Sequence, residues 1–274
     1  MKPPRSSFTQ TITDAVADMT AHGFDSEQRV LDWVERIRAA ALADLTPMPV
    51  VEKELARVME ATYTRQVERG GILSKHPGVP QFTIDRVKPK LRAELDRRIM
   101  TSTSLIKLNR PQAVAKTLQR FQGWATSIPA GGSKVVEKVP VKSEIRKALA
   151  QLPFEERRLV IDQGAKLVSA ISNIVAVDGG AIAVEWHSHW RDASYNYRPD
   201  HKARDGKVYA IKGNWAIEKG LMKAGPNGYY EDNEAFAEAP FCRCFGTYIY
   251  ALRRLPDDML TEKGRQALAE RGAR

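Results

Sequence analysis

The spacing of apolar residues changes at Gly179-Gly180, and this change constrains the fold more than any other feature of the sequence. Before the glycine pair, apolar side chains recur every three or four positions, which is typical of the buried face of an α-helix. From Ile182 onward they alternate with other side chains, as in a half-buried strand. We therefore predict an α+β protein: a mostly helical part, residues 1–178, followed by a small α+β module, residues 179–274, with a short antiparallel sheet.

Helical spacing is repeated along most of the first part of the chain. The apolar stripes predict helices over about residues 8–22, 25–46, 49–70, 84–99, 111–125 and 153–175. Asp25 and Gln28 resemble a capping box at the start of the second helix. Pro89 lies inside the fourth stripe, so that helix is expected to begin near Pro89 or to kink there. Residues 70–82 form a linker rich in Gly and Pro, in which His76 is expected to be an exposed loop histidine.

Three strands are predicted in the module. Residues 182–187 and 245–252 alternate as strands do, and Val208 and Ile211 belong to a strand between them. Asp205-Gly206 precedes Val208 and is a strong hairpin-turn pair, because glycine accepts positive φ without steric cost. We therefore expect a hairpin at this pair.

Composition excludes several classes of protein. No apolar run approaches the roughly 20 residues of a membrane helix, and the N-terminus has no apolar block of signal-peptide length. The two cysteines, Cys242 and Cys244, do not make a disulfide framework. We therefore expect a protein that is made in a cytoplasm and has no membrane partner.

The excess of positive charge lies in the middle of the chain. The sequence carries a formal charge of +10, and residues 83–147 contain 15 basic against 5 acidic side chains. Such a block suits a polyanion or an acidic partner, although a basic helical face is about as often only solvated. The residues expected to bind nucleic acid or an acidic partner are Arg92, Arg97, Arg98, Lys116, Arg120, Arg146 and Lys147.

Side chains that can bind a metal or transfer a proton are concentrated near the C-terminus. Residues 185–211 contain three of the five histidines, and both cysteines follow about thirty residues later. Nitrogen and sulfur donors suit zinc, so zinc is the candidate cofactor, with His189, His201, Cys242 and Cys244 as candidate ligands. Alternatively, the cysteines are small buried residues and the histidines hold loops by hydrogen bonds.

A hydrolytic site is a further alternative. The histidines and the nearby carboxylates of Glu185, Asp192, Asp200 and Asp205 could hold a metal-activated water for phosphodiester cleavage. However, the chain has no Gly-x-Ser-x-Gly, no P-loop and no His-Glu-x-x-His motif. We therefore assign no catalytic residue, and a metal-dependent nuclease or related hydrolase is kept as the alternative function.

Three spaced motifs occur in order within the module. They are Arg198-Pro199-Asp200-His201, Gly206-Lys207-Val208-Tyr209 directly after Asp205, and Cys242-Arg243-Cys244, and they follow a predicted strand that contains Trp186. Together they resemble the phage Mu F-like domain of the phage head morphogenesis, or minor head protein, family. The resemblance covers roughly residues 180–250. Directly before Cys242 the chain has Glu238-Ala239-Pro240-Phe241, where the family usually has a Pro-rich segment that contains Asn. We expect the motif residues to meet in space.

The resemblance implies a structural minor capsid protein of a tailed phage, without enzymatic activity. Such a protein acts at or inside the portal or capsid in head assembly, DNA packaging or ejection. Its partners would be the portal protein and capsid or scaffold proteins, in the host cytoplasm during assembly and then in the virion. Any DNA contact would be non-specific, because no base-reading motif is recognisable.

Overall fold

The computed structural model describes residues 7–133, 143 and 152–272. This part of the chain contains eight α-helices and one three-stranded sheet. The helices are α1 Ser7–His22, α2 Glu27–Asp44, α3 Met48–Tyr63, α4 Gln81–Ala125, α5 Leu152–Asp178, α6 Pro199–Arg204, α7 Trp215–Glu218 and α8 Glu262–Gly272. The strands are β1 Ala183–His187, β2 Val208–Ala210 and β3 Phe245–Ile249. The predicted fold class, mostly helical at first and then α+β with a short antiparallel sheet, is confirmed.

The chain divides into two compact units that do not follow a single cut in the sequence. The first unit comprises Met1–Leu55 and Thr101–Val160, and the second comprises Ala56–Met100 and Ile161–Arg274. The predicted domain division at residue 178 stays a prediction. At that position Gly179-Gly180 follows α5, and Gly180 adopts a φ of +80°.

The first unit is built on the apolar stripes that the sequence predicts. Its buried cluster consists of Phe8, Ile12, Ala15, Val16 and Met19 of α1, Val30, Val34, Ile37, Ala40 and Ala41 of α2, and Val114, Leu118, Phe121 and Ala125 of α4. The start of α2 differs from the prediction. Ser26 is the N-cap and its side chain accepts a hydrogen bond from the backbone nitrogen of Arg29 (3.3 Å), whereas Asp25 pairs with the Arg29 side chain.

Helix α4 is one helix of 45 residues where the sequence predicts two. It runs through Pro89, and the polar stretch between the two predicted helices is also helical, with Ser102 and Ile106 buried. A proline inside a helix removes one backbone hydrogen bond and costs about 3 kcal/mol. Val87 and Leu91 lie on either side of Pro89 and are buried, which offsets this cost.

The strands form an antiparallel sheet in the order β2-β1-β3. Val184 of β1 lies opposite Tyr209 of β2 and Tyr248 of β3, and these side chains belong to an apolar cluster around Trp186. The other face of the sheet belongs to a second cluster, which includes Ala183, Ala210, Ile249, Met222 and Leu260. Both faces are therefore covered around Ala183 and Val184, whereas Phe245 and Thr247 at the start of β3 are exposed.

Strands β1 and β2 are not joined by the predicted hairpin. They pair antiparallel, but α6 lies between them in the chain, and Asp205-Gly206 forms the turn from α6 into β2. Gly206 has a φ of +76°, and its amide donates to the carbonyl of Trp186 (2.8 Å). The turn is thus confirmed and the hairpin is wrong, because a turn pair does not determine which elements it connects.

His76 is fully buried, so the predicted exposed loop histidine is wrong. Its Nδ1 lies 2.6 Å from the hydroxyl oxygen of Tyr250, and its Nε2 lies 3.1 Å from Oγ of Ser172. The local composition of the linker carries no information about these distant partners.

Residues Val160–Asp178 of α5 are long and apolar enough to cross a membrane, with a mean hydropathy of 1.3. By this criterion, the expectation that no run approaches membrane-helix length is wrong. Core helices of folded domains meet the same criterion. Leu167, Ile171 and Val175 of this segment are completely buried within the protein.

Candidate metal centre

The candidate metal centre is built by α6 and the segment that leads into β3. Helix α6 carries His201, and Pro199 in its first turn is preorganised for helix formation. Cys242 and Cys244 directly precede β3 and belong to the same buried cluster as Trp186 of β1. The ring centroids of Trp186 and His201 lie 5.8 Å apart. Pairing of β3 with β1 therefore brings the cysteines to the face of the sheet beside α6.

The three candidate ligand residues meet in a buried group. Nδ1 of His201 lies 3.5 Å from Sγ of Cys242 and 3.3 Å from Sγ of Cys244. All three atoms lie within 4.8 Å of one another, and the residues are 2%, 2% and 4% exposed, respectively. In a zinc tetrahedron with ligands about 2.0–2.3 Å from the ion, nitrogen and sulfur are about 3.5 Å apart. The spacing of these side chains therefore suits a zinc ion.

The second ring nitrogen of His201 faces carboxylates. Its Nε2 lies 3.3 Å from Oε2 of Glu234 and 3.7 Å from Oδ2 of Asp200. A proton on Nε2 is donated to Glu234, which leaves the lone pair of Nδ1 directed toward the two sulfur atoms. Carboxylates commonly support zinc-binding histidines in this way, because they fix the orientation and the tautomer of the ring.

One sulfur of the pair is favoured as a thiolate. The thiol of Cys244 donates to the sulfur of Cys242, which lowers the pKa of Cys242, and the same contact raises the pKa of Cys244. The backbone amide of Cys244 also donates to Sγ of Cys242 (3.4 Å). The thiolate is the form of cysteine that binds metals.

Two buried side-chain atoms beside Cys244, Nε1 of Trp186 and Oγ of Ser188, have no hydrogen-bond partner in the described part of the chain. The hydrogen bond to Cys242 raises the pKa of Cys244, and these two side chains oppose that rise because they stabilise negative charge on its sulfur. A metal-bound thiolate would accept these hydrogen bonds. The residues present therefore fit zinc, and they supply three of the four donors that zinc usually takes.

Arg198 is the N-cap of α6, and Asp200 lies in the first turn of this helix, next to His201. Nη2 of Arg198 donates to the carbonyl of Pro240 (3.0 Å), which joins the start of α6 to the segment before Cys242. Asp200 is exposed and pairs with Arg204 (3.2 Å). Arg198 thus holds α6 beside the cysteines, and Asp200 lies on the solvent side.

Asp205 joins the end of α6 to the chain after β1. Its carboxylate accepts from the backbone nitrogen of Ser188 and from Nε1 of Trp190, both at 2.8 Å. The hydrogen bond from Ser188 has the largest effect on the pKa of Asp205, which it lowers, and the bond from Trp190 lowers it further. Together with the bond from Gly206 to Trp186, they fix the turn that positions α6.

Two predicted site residues lie outside the buried group. His189 is exposed and its ring centroid lies 5.8 Å from that of Phe245, so the structure does not bring this histidine to His201 and the cysteines. Arg243 lies between the cysteines in sequence but is exposed, 3.5 Å from Asp192. Side chains alternate along an extended segment, which directs Arg243 away from the two sulfur atoms.

Sequence reasoning missed Glu234 and Phe236, because residues 223–240 have the composition of an acidic loop. The ring of Phe236 packs against Trp186 with centroids 4.5 Å apart. The acidic composition could have suggested a carboxylate partner for a histidine, but it does not indicate which carboxylate reaches which ring.

The predicted basic residues of the first half of α4 are paired with acidic side chains. Arg92 lies 3.2 Å from Asp96, and Arg97 and Arg98 lie 2.6 and 2.8 Å from Glu94. The pair of Arg92 with Asp96 is exposed and contributes at most about 1 kcal/mol, so Arg92 can exchange partners, whereas Glu94 is largely buried.

The other predicted basic residues are differently placed. Lys116 and Arg120 are exposed on the second half of α4. Arg146 and Lys147 lie outside the described residues. The binding of nucleic acid or an acidic partner by these positions stays a prediction.

Comparison of the chain with known proteins finds no matching family model, no matching curated protein and no matching solved structure. A functional assignment therefore depends on the motifs and on the geometry of the site.

Proposed function

We propose that the chain is a structural minor head protein of a tailed phage, without enzymatic activity, whose C-terminal module holds a zinc ion. One observation carries this proposal: the first and third of the motifs that resemble the Mu F-like domain are in contact, and the second contacts the strand that contains Trp186. His201 and Arg198 both contact residues 240–244, and Gly206 donates to Trp186. Motifs that are distant in sequence and adjacent in space support a shared structural unit better than sequence spacing alone.

The burial of the ligand residues supports a structural role for the zinc ion. Structural zinc sites are closed, whereas catalytic sites keep one position open to water or substrate. His201, Cys242 and Cys244 are at most 4% exposed. Bound zinc would cross-link α6 to the segment before β3, in a small module that has only these two cysteines and no disulfide.

The proposed partners are the portal protein and capsid or scaffold proteins, and the proposed location is the host cytoplasm during assembly and then the virion. The basic residues of α4 would contact an acidic partner surface or packaged DNA. Such contacts depend on charge, so they would be non-specific and would weaken as the salt concentration rises.

A metal-dependent nuclease or related hydrolase is the second candidate, and one observation favours it. Cys242 and Cys244 border a cavity of about 580 Å³, from which a substrate could approach. However, no Asp or Glu side chain lines this cavity among the described residues. Hydrolysis needs a group that activates water, and a carboxylate usually serves where histidine is already a ligand.

Co-expression with the portal protein of the same phage, followed by size-exclusion chromatography, tests the proposal. We expect the two proteins to elute together at low salt. Separate elution at every salt concentration, with no association with procapsids, would overturn it. The rival is tested by plasmid nicking with added zinc, magnesium or manganese: nicking that His201→Ala abolishes would establish a nuclease.

A further inference from the structure

Strand β3 lies at an edge of the sheet. In the described part of the chain it pairs with β1 alone, so its other side is available for backbone hydrogen bonds. A cavity of about 580 Å³ is lined by the consecutive residues Phe245, Gly246, Thr247 and Tyr248. Successive side chains of a strand point to opposite faces of the sheet. A cavity that touches four consecutive residues therefore borders the edge of the strand, as well as the face that carries Phe236 and Cys242.

The opposite wall of this groove has small side chains. Ala165, Val168, Ser169 and Ser172 of α5 line it, at the spacing that places them on one face of the helix. This face is distinct from the buried stripe of Leu167, Ile171 and Val175. The small residues leave room beside β3, and most of the lining is apolar.

The charges around the groove have one sign. Lys75, Arg243 and Arg254 line it, and no acidic residue does so among the residues that the structure describes. Lys75 and Arg254 are exposed, and Arg243 is 58% exposed although it lies 3.5 Å from Asp192. A ligand that places carboxylates near these three cations is favoured, and a basic ligand is repelled.

We propose that this groove binds an extended acidic peptide segment of a partner protein, which adds to β3 as a fourth strand. Backbone hydrogen bonds to the strand edge supply affinity, and alternate side chains of the peptide enter the apolar groove while its carboxylates approach the cations. The inference extends the proposed function by naming the chemistry of a partner, and it requires neither the metal nor a phage.

Another segment of this chain is a poor occupant. Residues 134–142 contain alternating valines, but they carry three lysines and one glutamate and would be repelled by the cationic rim. Pairing of β3 edges between two copies of the chain would bring both sets of cations together. Both occupants are outcomes of the test.

The test uses the full chain and a fluorescein-labelled peptide, Glu-Val-Glu-Thr-Glu-Val-Glu, in a fluorescence anisotropy titration. A peptide with lysine in place of glutamate tests the charge, and an acidic peptide with alternate amides N-methylated tests the strand pairing on the unaltered protein. We expect saturable binding of the acidic peptide and a loss of at least about tenfold in affinity for each of the other two. Equal binding of either control peptide would overturn the proposal.

A pair of variants tests the position of the groove. Arg254→Glu should weaken binding of the acidic peptide at least about tenfold, while Arg253→Glu, in the same 3-10 turn but not in the groove lining, should change it less than about twofold. Equal effects of the two variants, or an edge-paired dimer of the chain, would overturn the proposal. Failure to bind the portal protein would leave peptide binding intact, so the two proposals can fail separately.

Discussion

Nδ1 of His76 lies 2.6 Å from the hydroxyl oxygen of Tyr250, although 174 residues separate the two in sequence. The other ring nitrogen contacts Ser172 of α5, and the side chain is fully buried. One imidazole therefore joins a turn after α3, a helix and the segment after β3. Burial, with a smaller contribution from Lys75, lowers the pKa of His76 to about 4.

His76 should make the protein less stable in mild acid. The unfolded chain binds a proton at this histidine below a pH of about 6.5, whereas the folded protein does so only near pH 4. The contribution of His76 to the free energy of unfolding is therefore fully present above about pH 6.5. It is lost as the pH drops to about 4, which lowers the free energy of unfolding by up to about 3 kcal/mol. Urea unfolding between these pH values measures this loss. His76→Gln should reduce the pH dependence over this window by this amount, and His189→Gln, at an exposed histidine, should keep it. An unchanged pH dependence in His76→Gln would contradict the prediction.

The chain should bind zinc through His201, Cys242 and Cys244. Protein purified with zinc present should retain about one equivalent, and chelation should lower its melting temperature, because the bound ion stabilises only the folded state. Cys244→Ser and His201→Asn should each lose zinc and the effect of chelation, whereas His189→Asn should behave as the unaltered protein does. Elemental analysis and thermal unfolding measure both effects. Equal zinc content in His201→Asn and His189→Asn would show that another site holds the metal.

Features that depend on local pattern could be predicted from the sequence. The stripes of α1 and α2 follow from one buried face of each helix, and β1 and β3 follow from the alternation of their side chains, so residue spacing alone indicates them. The continuity of α4 could not be predicted, because local signals such as Pro89 argue for a break. The burial of Val87 and Leu91 outweighs those signals, and burial is a property of the folded chain.

The candidate site, too, could be predicted only in part from the sequence. Ligand chemistry was enough to group His201 with the two cysteines, because few residue types bind zinc. It also included His189, which the structure leaves exposed, since ligand chemistry does not distinguish one histidine from another. The contact of Glu234 with His201 depends on a loop whose course no periodicity indicates. Long-range partners of this kind are the part that required the structure.

Gly246 should not tolerate an additional methyl group. A Cβ atom at this position would lie 2.4 Å from Cε2 of Phe236 and 2.5 Å from Cγ2 of Val184, both in the cluster around Trp186. Overpacking of this kind costs about 1–3 kcal/mol, so Gly246→Ala should lower the free energy of unfolding by that amount. Gly164→Ala in α5 is the control, since no atom lies within 4 Å of its added Cβ and alanine favours the helix by about 0.5–1 kcal/mol. Urea denaturation compares the two. A Gly246→Ala protein as stable as the original would refute the prediction.

Lys116 and Arg120 should contribute to non-specific DNA binding. Both are exposed and lie four residues apart on α4, so their charges project from one face of the helix. Each basic side chain that contacts a phosphate adds about one to the slope of log affinity against log salt concentration. Lys116→Gln/Arg120→Gln should therefore weaken binding to two unrelated DNA duplexes equally and reduce this slope by about 2. Fluorescence anisotropy between about 50 and 200 mM salt measures the slope.

The control variant Arg253→Gln/Arg265→Gln removes the same charge from exposed positions in the nearly neutral C-terminal part and should leave the slope unchanged. Equal slopes for the two double variants would mean that net charge alone governs binding and that this face of α4 is only solvated.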